Sequence, residues 1–115
     1  MINELDWSIE QGKSVAIVGK SGIGKSTLLH LLAGIEPATS GKINIFNQEI
    51  TSFSNNQLAD FRLENLGFVF QFNNLLPEFT AVENVYLPLL LAQNKFNPEI
   101  KDKALGLLAL SLIHI

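Results

Sequence analysis

At 115 residues the chain has the length of one small domain and not of two. A net charge of −3, with eight Lys and Arg scattered along the chain, leaves no basic stripe of the kind nucleic acid selects. With no cysteine, disulfides, thiolate metal sites and thiol catalysis are excluded, and His30 and His114 are too few for a zinc site of the usual ligand count.

The opening residues Met1-Ile-Asn-Glu-Leu-Asp6 are polar and acidic, unlike a secretory leader. Leu5, Trp7 and Ile9 alternate with polar residues, which predicts a half-buried strand ending at the Gln11-Gly12 turn, with Trp7 as a packing residue. Residues 14–18, Ser-Val-Ala-Ile-Val, form a short β-branched run and predict a strand buried on both faces, as in a parallel sheet. Glycines break that run at 19–24, and 25–33 reads as a helix closed by Gly34. A loop at 37–41 precedes a strand over 42–46. Ser54 and Gln57 make a capping-box pair that opens a helix over 55–65.

Residues 66–71, Leu-Gly-Phe-Val-Phe-Gln, predict a further strand, and 72–79 a loop around Pro77. Thr80 and Glu83 form a second capping box, opening a helix that Pro88 should kink or end. Asn97-Pro98 supplies a cap and a first-turn proline for the last helix. The apolar runs at 85–92 and 104–115 fall short of the roughly 20 residues a membrane-spanning helix needs. A cytoplasmic chain is expected, linked to a membrane only through a partner. Strands alternating with helices put the fold in the α/β class.

Gly19-Lys20-Ser21-Gly22-Ile23-Gly24-Lys25-Ser26 fits the pattern G-x-x-x-x-G-K-[ST] between a predicted strand and a predicted helix. A loop that wraps phosphate with inward-pointing N–H groups needs positive φ and close backbone approach, which Gly19, Gly22 and Gly24 are placed to supply. Lys25 would reach the β- and γ-phosphates of ATP, Ser26 would ligate Mg²⁺, and Thr27 with the helix N-terminus would add donors and a favourable dipole.

The motif names a nucleotide site and no reaction, so three classes compete: a transport-coupled ATPase, a GTPase switch or small kinase, and a nucleotide-binding remnant without turnover. A GTPase should carry D-x-x-G and N-K-x-D elements, and Asn94-Lys-Phe-Asn97 lacks the final Asp. A small kinase usually brings several arginines to the transferring phosphoryl group. This chain has Arg62, whose plain reading is a solvated helix face.

The stretch Leu66-Gly-Phe-Val-Phe-Gln71-Phe-Asn-Asn-Leu-Leu-Pro-Glu-Phe-Thr-Ala-Val-Glu-Asn-Val85 resembles the Q-loop region of ABC transporter ATPases. So does Ser26-Thr-Leu-Leu-His-Leu-Leu-Ala-Gly34 followed by Pro37 and Thr39-Ser-Gly41-Lys-Ile43. Within that superfamily the stretch after Gln71 is most similar to the ATPase of the lipoprotein-releasing system. Relatives serving macrolide or peptide exporters and the cell-division complex are close alternatives.

The resemblance implies a partial P-loop NTPase core, with Gln71 approaching Mg²⁺ and the attacking water. It also implies that the loop from Phe72 to Phe79 meets a permease, and that a second ATPase subunit pairs head to tail with the first. A neutral amide at a strand end suits the task of orienting a metal-bound water, and the loop after it is free to move. Without the surrounding match, Gln71 reads as a polar strand terminus, and Phe72, Leu75, Leu76 and Phe79 as core.

The chain carries no L-S-G-G-Q signature and no apolar strand ending in Asp-Glu. The fragment alone is therefore expected not to hydrolyse ATP, and a partial sheet is expected to leave open edges and uncovered apolar faces. The final Leu110-Ser-Leu-Ile-His-Ile115 is what CTG-TCT-CTT-ATA-CAC-ATC encodes, DNA that resembles a transposase-end adaptor; the alternative is an apolar helix end that continues residues 104–109. This predicts a partial nucleotide-binding domain over 1–109 and an adaptor-derived tail over 110–115.

Overall fold

Among the described residues, local capping signals set where three of the four α-helices start. The computed structural model describes residues 2–93 and 97–111, and the chain divides into two compact units, Met1–Arg62 and Leu63–Ile115. The tail residues 112–115, His114 among them, and residues 94–96 lie outside the described residues.

In the first unit, helix α1 (Lys25–Leu32) follows the glycine loop and ends through Ala33 at Gly34, whose φ of +61° gives the left-handed turn that stops a helix. Strands β1 (Asn44–Ile45) and β2 (Gln48–Glu49) pair antiparallel, with Ile45 opposite Gln48. The two residues between them, Phe46 and Asn47, have φ of 50° and 62°, the pattern of a two-residue type I′ turn. Phe46 therefore belongs to a turn, and the strand expected over 42–46 shortens to Asn44–Ile45. The sequence masks this hairpin because only Asn47 is a residue that favours positive φ.

The chain leaves the hairpin through a 3-10 turn at Ile50–Ser52, and the Ile50 N–H donates to the Ile43 carbonyl at 2.9 Å. Helix α2 (Asn55–Asn65) has the predicted bounds. Its capping box is formed: the Ser54 N–H donates to Gln57 Oε1 at 2.8 Å, and the Gln57 N–H to Ser54 Oγ at 3.4 Å. Ala33, Ile50 and Phe61 are the buried apolar residues among those described in this unit, and the Phe53 ring meets Phe61 edge-on at 6.0 Å.

In the second unit, helix α3 (Ala81–Gln93) opens on the predicted box. The Thr80 N–H and hydroxyl each donate to Glu83 Oε2 at 2.7 Å, and the Glu83 N–H returns to Thr80 Oγ1 at 3.4 Å. The helix continues through Pro88 for five more residues instead of ending there. Helix α4 (Pro98–Leu110) starts where Asn97 Oδ1 accepts from the Glu99 N–H at 3.1 Å, with Pro98 in the first turn, as the sequence predicts. It packs against α3 and buries Ile100 and Ala104.

The expected strands at 5–9, 14–18 and 66–71 are not strands in the described residues. A helix satisfies its N–H and C=O groups within its own segment, whereas a strand needs a neighbour roughly 4.8 Å away to do so. None of these runs has such a ladder. Leu5, Trp7 and Ile9 are exposed, and Val18 and Val69 are 87% and 103% exposed. The 66–71 run does keep its two-residue period: Phe68 and Phe70 stack with centroids 5.5 Å apart and ring planes 13° from parallel.

Candidate functional site

The glycines of the loop at 19–26 act in two different ways. Gly22 and Gly24 have φ of 79° and 106°, a region L side chains rarely enter. Gly19 has no positive φ; a Cβ there would meet Ile23 Cγ2 at 3.1 Å, so close approach is what it provides. The expected left-handed backbone thus holds at two of the three glycines and gives way to crowding at the third.

Lys25 folds back over this loop, its ammonium donating to the carbonyls of Gly19 at 2.9 Å and Lys20 at 2.8 Å. The cation therefore sits at the loop's own backbone. Gly24 occupies the N-cap of α1 with no side-chain cap, and no acidic residue lies in the first turn. The first N–H groups of α1 have no partner within the helix, a favourable place for an anion. Ser26 and Thr27 are exposed in that first turn, and Lys20, Ser21 and Ile23 are exposed around the loop.

The far end of α1 is tied down. The Arg62 guanidinium donates to the Gly34 carbonyl at 2.6 Å, a part-buried contact across 28 positions of sequence. Leu58, one turn earlier on α2, crowds Gly34 so closely that a Cβ there would lie 2.8 Å from Leu58 Cδ2. His30 Nδ1 lies 2.9 Å from Glu36 Oε1 at the same end. Arg62 is thus no solvated surface residue; it satisfies a carbonyl at the C-terminal end of the helix that carries the glycine loop.

Gln71 is exposed and follows the Phe68–Phe70 stack in the second unit. The residues after it do not form the core that their apolar character allows. Phe72 is 74% and Leu75 64% exposed, and Leu76 and Phe79 are exposed as well. Their backbone is nonetheless ordered by a residue that the sequence reading passed over. Asn84 Oδ1 accepts from the Leu76 N–H at 2.8 Å, while Nδ2 donates to the carbonyls of Leu76, Phe79 and Thr80 at 3.0–3.1 Å. An asparagine inside a helix is a weak helix former with a side chain suited to backbone groups, and its place just after a proline turn is the signal that could have found it.

The sequence profile of the ABC transporter family matches residues 2–112. The lipoprotein-releasing system ATP-binding protein LolD of Cytophaga hutchinsonii is 44% identical over 108 residues, which are 94% of this chain and 49% of that protein. The protein of the same name from Pseudoalteromonas translucida is 52% identical over 91 residues, 79% of this chain and 39% of its own. Among solved structures, the dimeric post-hydrolysis state of the ATP-binding cassette MJ0796 bound to ADP and Pi superposes with a TM-score of 0.81 at 36% identity. It covers 87% of this chain and 44% of its own length.

The fold is that of part of a P-loop ATPase cassette, so the α/β class read from the sequence stands although its central strands are unpaired here. This chain belongs to the ABC transporter family. It spans about half the length of the curated relatives it matches.

Proposed function

We propose that this chain is the nucleotide-binding part of an ATPase subunit that binds ATP with Mg²⁺ and drives a membrane permease in lipoprotein release. The observation that carries the reading is the glycine loop with Lys25 poised over it at the uncapped start of α1. The names of relatives at 44–52% identity support the choice of system.

In this reading the N–H groups from Gly19 to Thr27 cradle the phosphates. Lys25 exchanges the carbonyls of Gly19 and Lys20 for the β- and γ-phosphate oxygens. Mg²⁺ fits the site in kind, because the Ser26 hydroxyl offers a hard oxygen donor, and the role of Gln71 toward the metal rests on the family resemblance. No cluster of carboxylates or histidines able to hold a metal on its own occurs among the described residues, so phosphate oxygens and water would complete the shell. The metal neutralises phosphate charge when bound, and Gln71 orients the attacking water.

The exposed apolar loop at 72–79 is the docking surface for the permease, and a short amphipathic segment of that permease is its occupant. No helix among the described residues is long and apolar enough to cross a membrane. A cytoplasmic, peripheral place beside the permease is part of this reading. A second ATPase subunit completes the hydrolytic site, and the chain alone binds nucleotide without turnover. Residues 1–109 belong to the nucleotide-binding domain and 110–115 derive from an adaptor, which a long read of the source DNA across the frame would test.

Three assays test the function. Titration with a fluorescent ATP analogue should saturate, and Lys25→Ala should weaken it by at least roughly tenfold, the scale of a charge-assisted contact. Phosphate release by the purified chain should stay at background. Multiple turnovers abolished by Lys25→Ala would overturn the inactive-fragment reading. Capture by the permease of a macrolide exporter or a cell-division complex, and not by that of a lipoprotein-releasing system, would overturn the choice of system.

A further inference from the structure

The loop at 72–79 presents four large apolar side chains to solvent, yet its backbone is held at two points by a single amide. The Phe79 N–H closes a tight turn onto the Leu76 carbonyl at 3.1 Å. Asn84, in the first turns of α3, reaches both ends of that turn. Its oxygen takes the Leu76 N–H, and its nitrogen is shared among three carbonyls. Only one orientation of the amide works, because the flipped form would set a donor against the Leu76 N–H and an acceptor against the carbonyls.

No other side chain of this size offers the same pairing. Aspartate keeps the acceptor and loses every donor, placing a negative charge against three carbonyl oxygens. Alanine loses all four contacts, and glutamine moves the amide out by one methylene. An ordered loop with exposed apolar residues loses less freedom on binding than a mobile one, so a clamp of this kind favours association without touching the partner.

We propose that Asn84 is a positioning residue that fixes the turn at Leu76–Phe79 so that Leu75, Leu76 and Phe79 are presented in one arrangement to the permease. This inference rests on the reading of the loop as the docking surface. Asn84 itself contacts no ligand; it acts through the backbone of the loop.

The test uses the full 115-residue chain and, as probe, the detergent-solubilised permease subunit of a lipoprotein-releasing system. Asn84→Asp and Asn84→Ala should each weaken permease binding by roughly tenfold, the loss expected for several backbone contacts. Affinity for the fluorescent ATP analogue should change by less than about twofold, because additivity holds for independent sites. The double variant Leu76→Ser, Phe79→Ser is the control for the docking surface.

If that control binds the permease as well as the parent does, the docking reading fails and this inference goes with it. If the control is weakened while both Asn84 variants bind normally, the docking surface stands and the role of Asn84 is overturned. A readout independent of variant folding is amide exchange in the unaltered chain. The Leu76 N–H should exchange far more slowly than the N–H groups of Phe72 and Asn73, and exchange at the same rate would overturn the clamp.

Discussion

At the scale of single residues, Gly34 and Gly41 make a matched pair. Both have positive φ, +61° and +89°, but a Cβ at Gly41 meets nothing within 4 Å whereas one at Gly34 would lie 2.8 Å from Leu58 Cδ2. Gly41→Ala should therefore cost only the left-handed strain, about 1 kcal/mol. Gly34→Ala adds overpacking against α2 and should cost about 2 kcal/mol or more. Urea unfolding of the two variants checks the order, and equal losses would show that Leu58 moves aside freely.

The glycine loop was the most legible part of the site, because its residue types are dictated by backbone geometry within eight positions. At Gly19 the close approach holds without the positive φ, and the crowding by Ile23 depends on how the loop folds and not on the residue alone. Arg62 and Asn84 were missed for a related reason. What they satisfy are backbone carbonyls and N–H groups, which carry no sequence signal of their own.

At the scale of elements, local signals set the helices. The pairs Ser54/Gln57, Thr80/Glu83 and Asn97/Pro98 each mark a start that the structure places at that position. Ser54→Ala should destabilise α2 by about 1 kcal/mol, seen as a lower thermal midpoint. Arg62→Met should cost about 2 kcal/mol by leaving the Gly34 carbonyl without its charged donor, and Arg62→Lys should recover part of the loss.

Glu83 gives the second capping box a pH dependence. The Thr80 hydroxyl and then the Thr80 N–H hold its carboxyl below the ordinary glutamate range, with a smaller contribution from the Lys101 charge. A lowered folded-state pKa contributes stability that is present above the unfolded value, near pH 4.3, and is lost as pH falls through the folded value. Helicity of the parent should fall in that acid window relative to its neutral value, while Glu83→Gln should show a smaller change there. Identical acid profiles for the two would contradict the linkage. Strands were the elements that sequence misplaced, since the runs at 5–9, 14–18 and 66–71 have the right pattern and lack the neighbours that would turn it into a ladder.

At the scale of the whole molecule, the chain shows water an unusual amount of apolar side chain. Val18 and Val69 are almost wholly exposed, and Phe46, Phe72, Leu75 and Ile23 are more than half exposed. Apolar surface of this kind, next to unpaired backbone, favours self-association. Sedimentation should show the chain associating as its concentration rises, and Val69→Lys should weaken that association without lowering the thermal midpoint, because the side chain has no packing to lose. The chain spans about half the length of its relatives, and its apolar runs are those the sequence expects to lie inside a larger sheet.

The central claim is that residues 19–27 take the phosphates of a nucleotide. The most direct test is an amide-resolved titration of the isotopically labelled chain with Mg-ADP, run in parallel on Lys25→Ala. The account predicts the largest shifts at the amides of Gly22, Gly24, Lys25 and Ser26, and their loss in the variant. Shifts confined to the small cavity lined by Leu31, Ile43, Ile50 and Phe53, or shifts at the loop that survive Lys25→Ala unchanged, would contradict it.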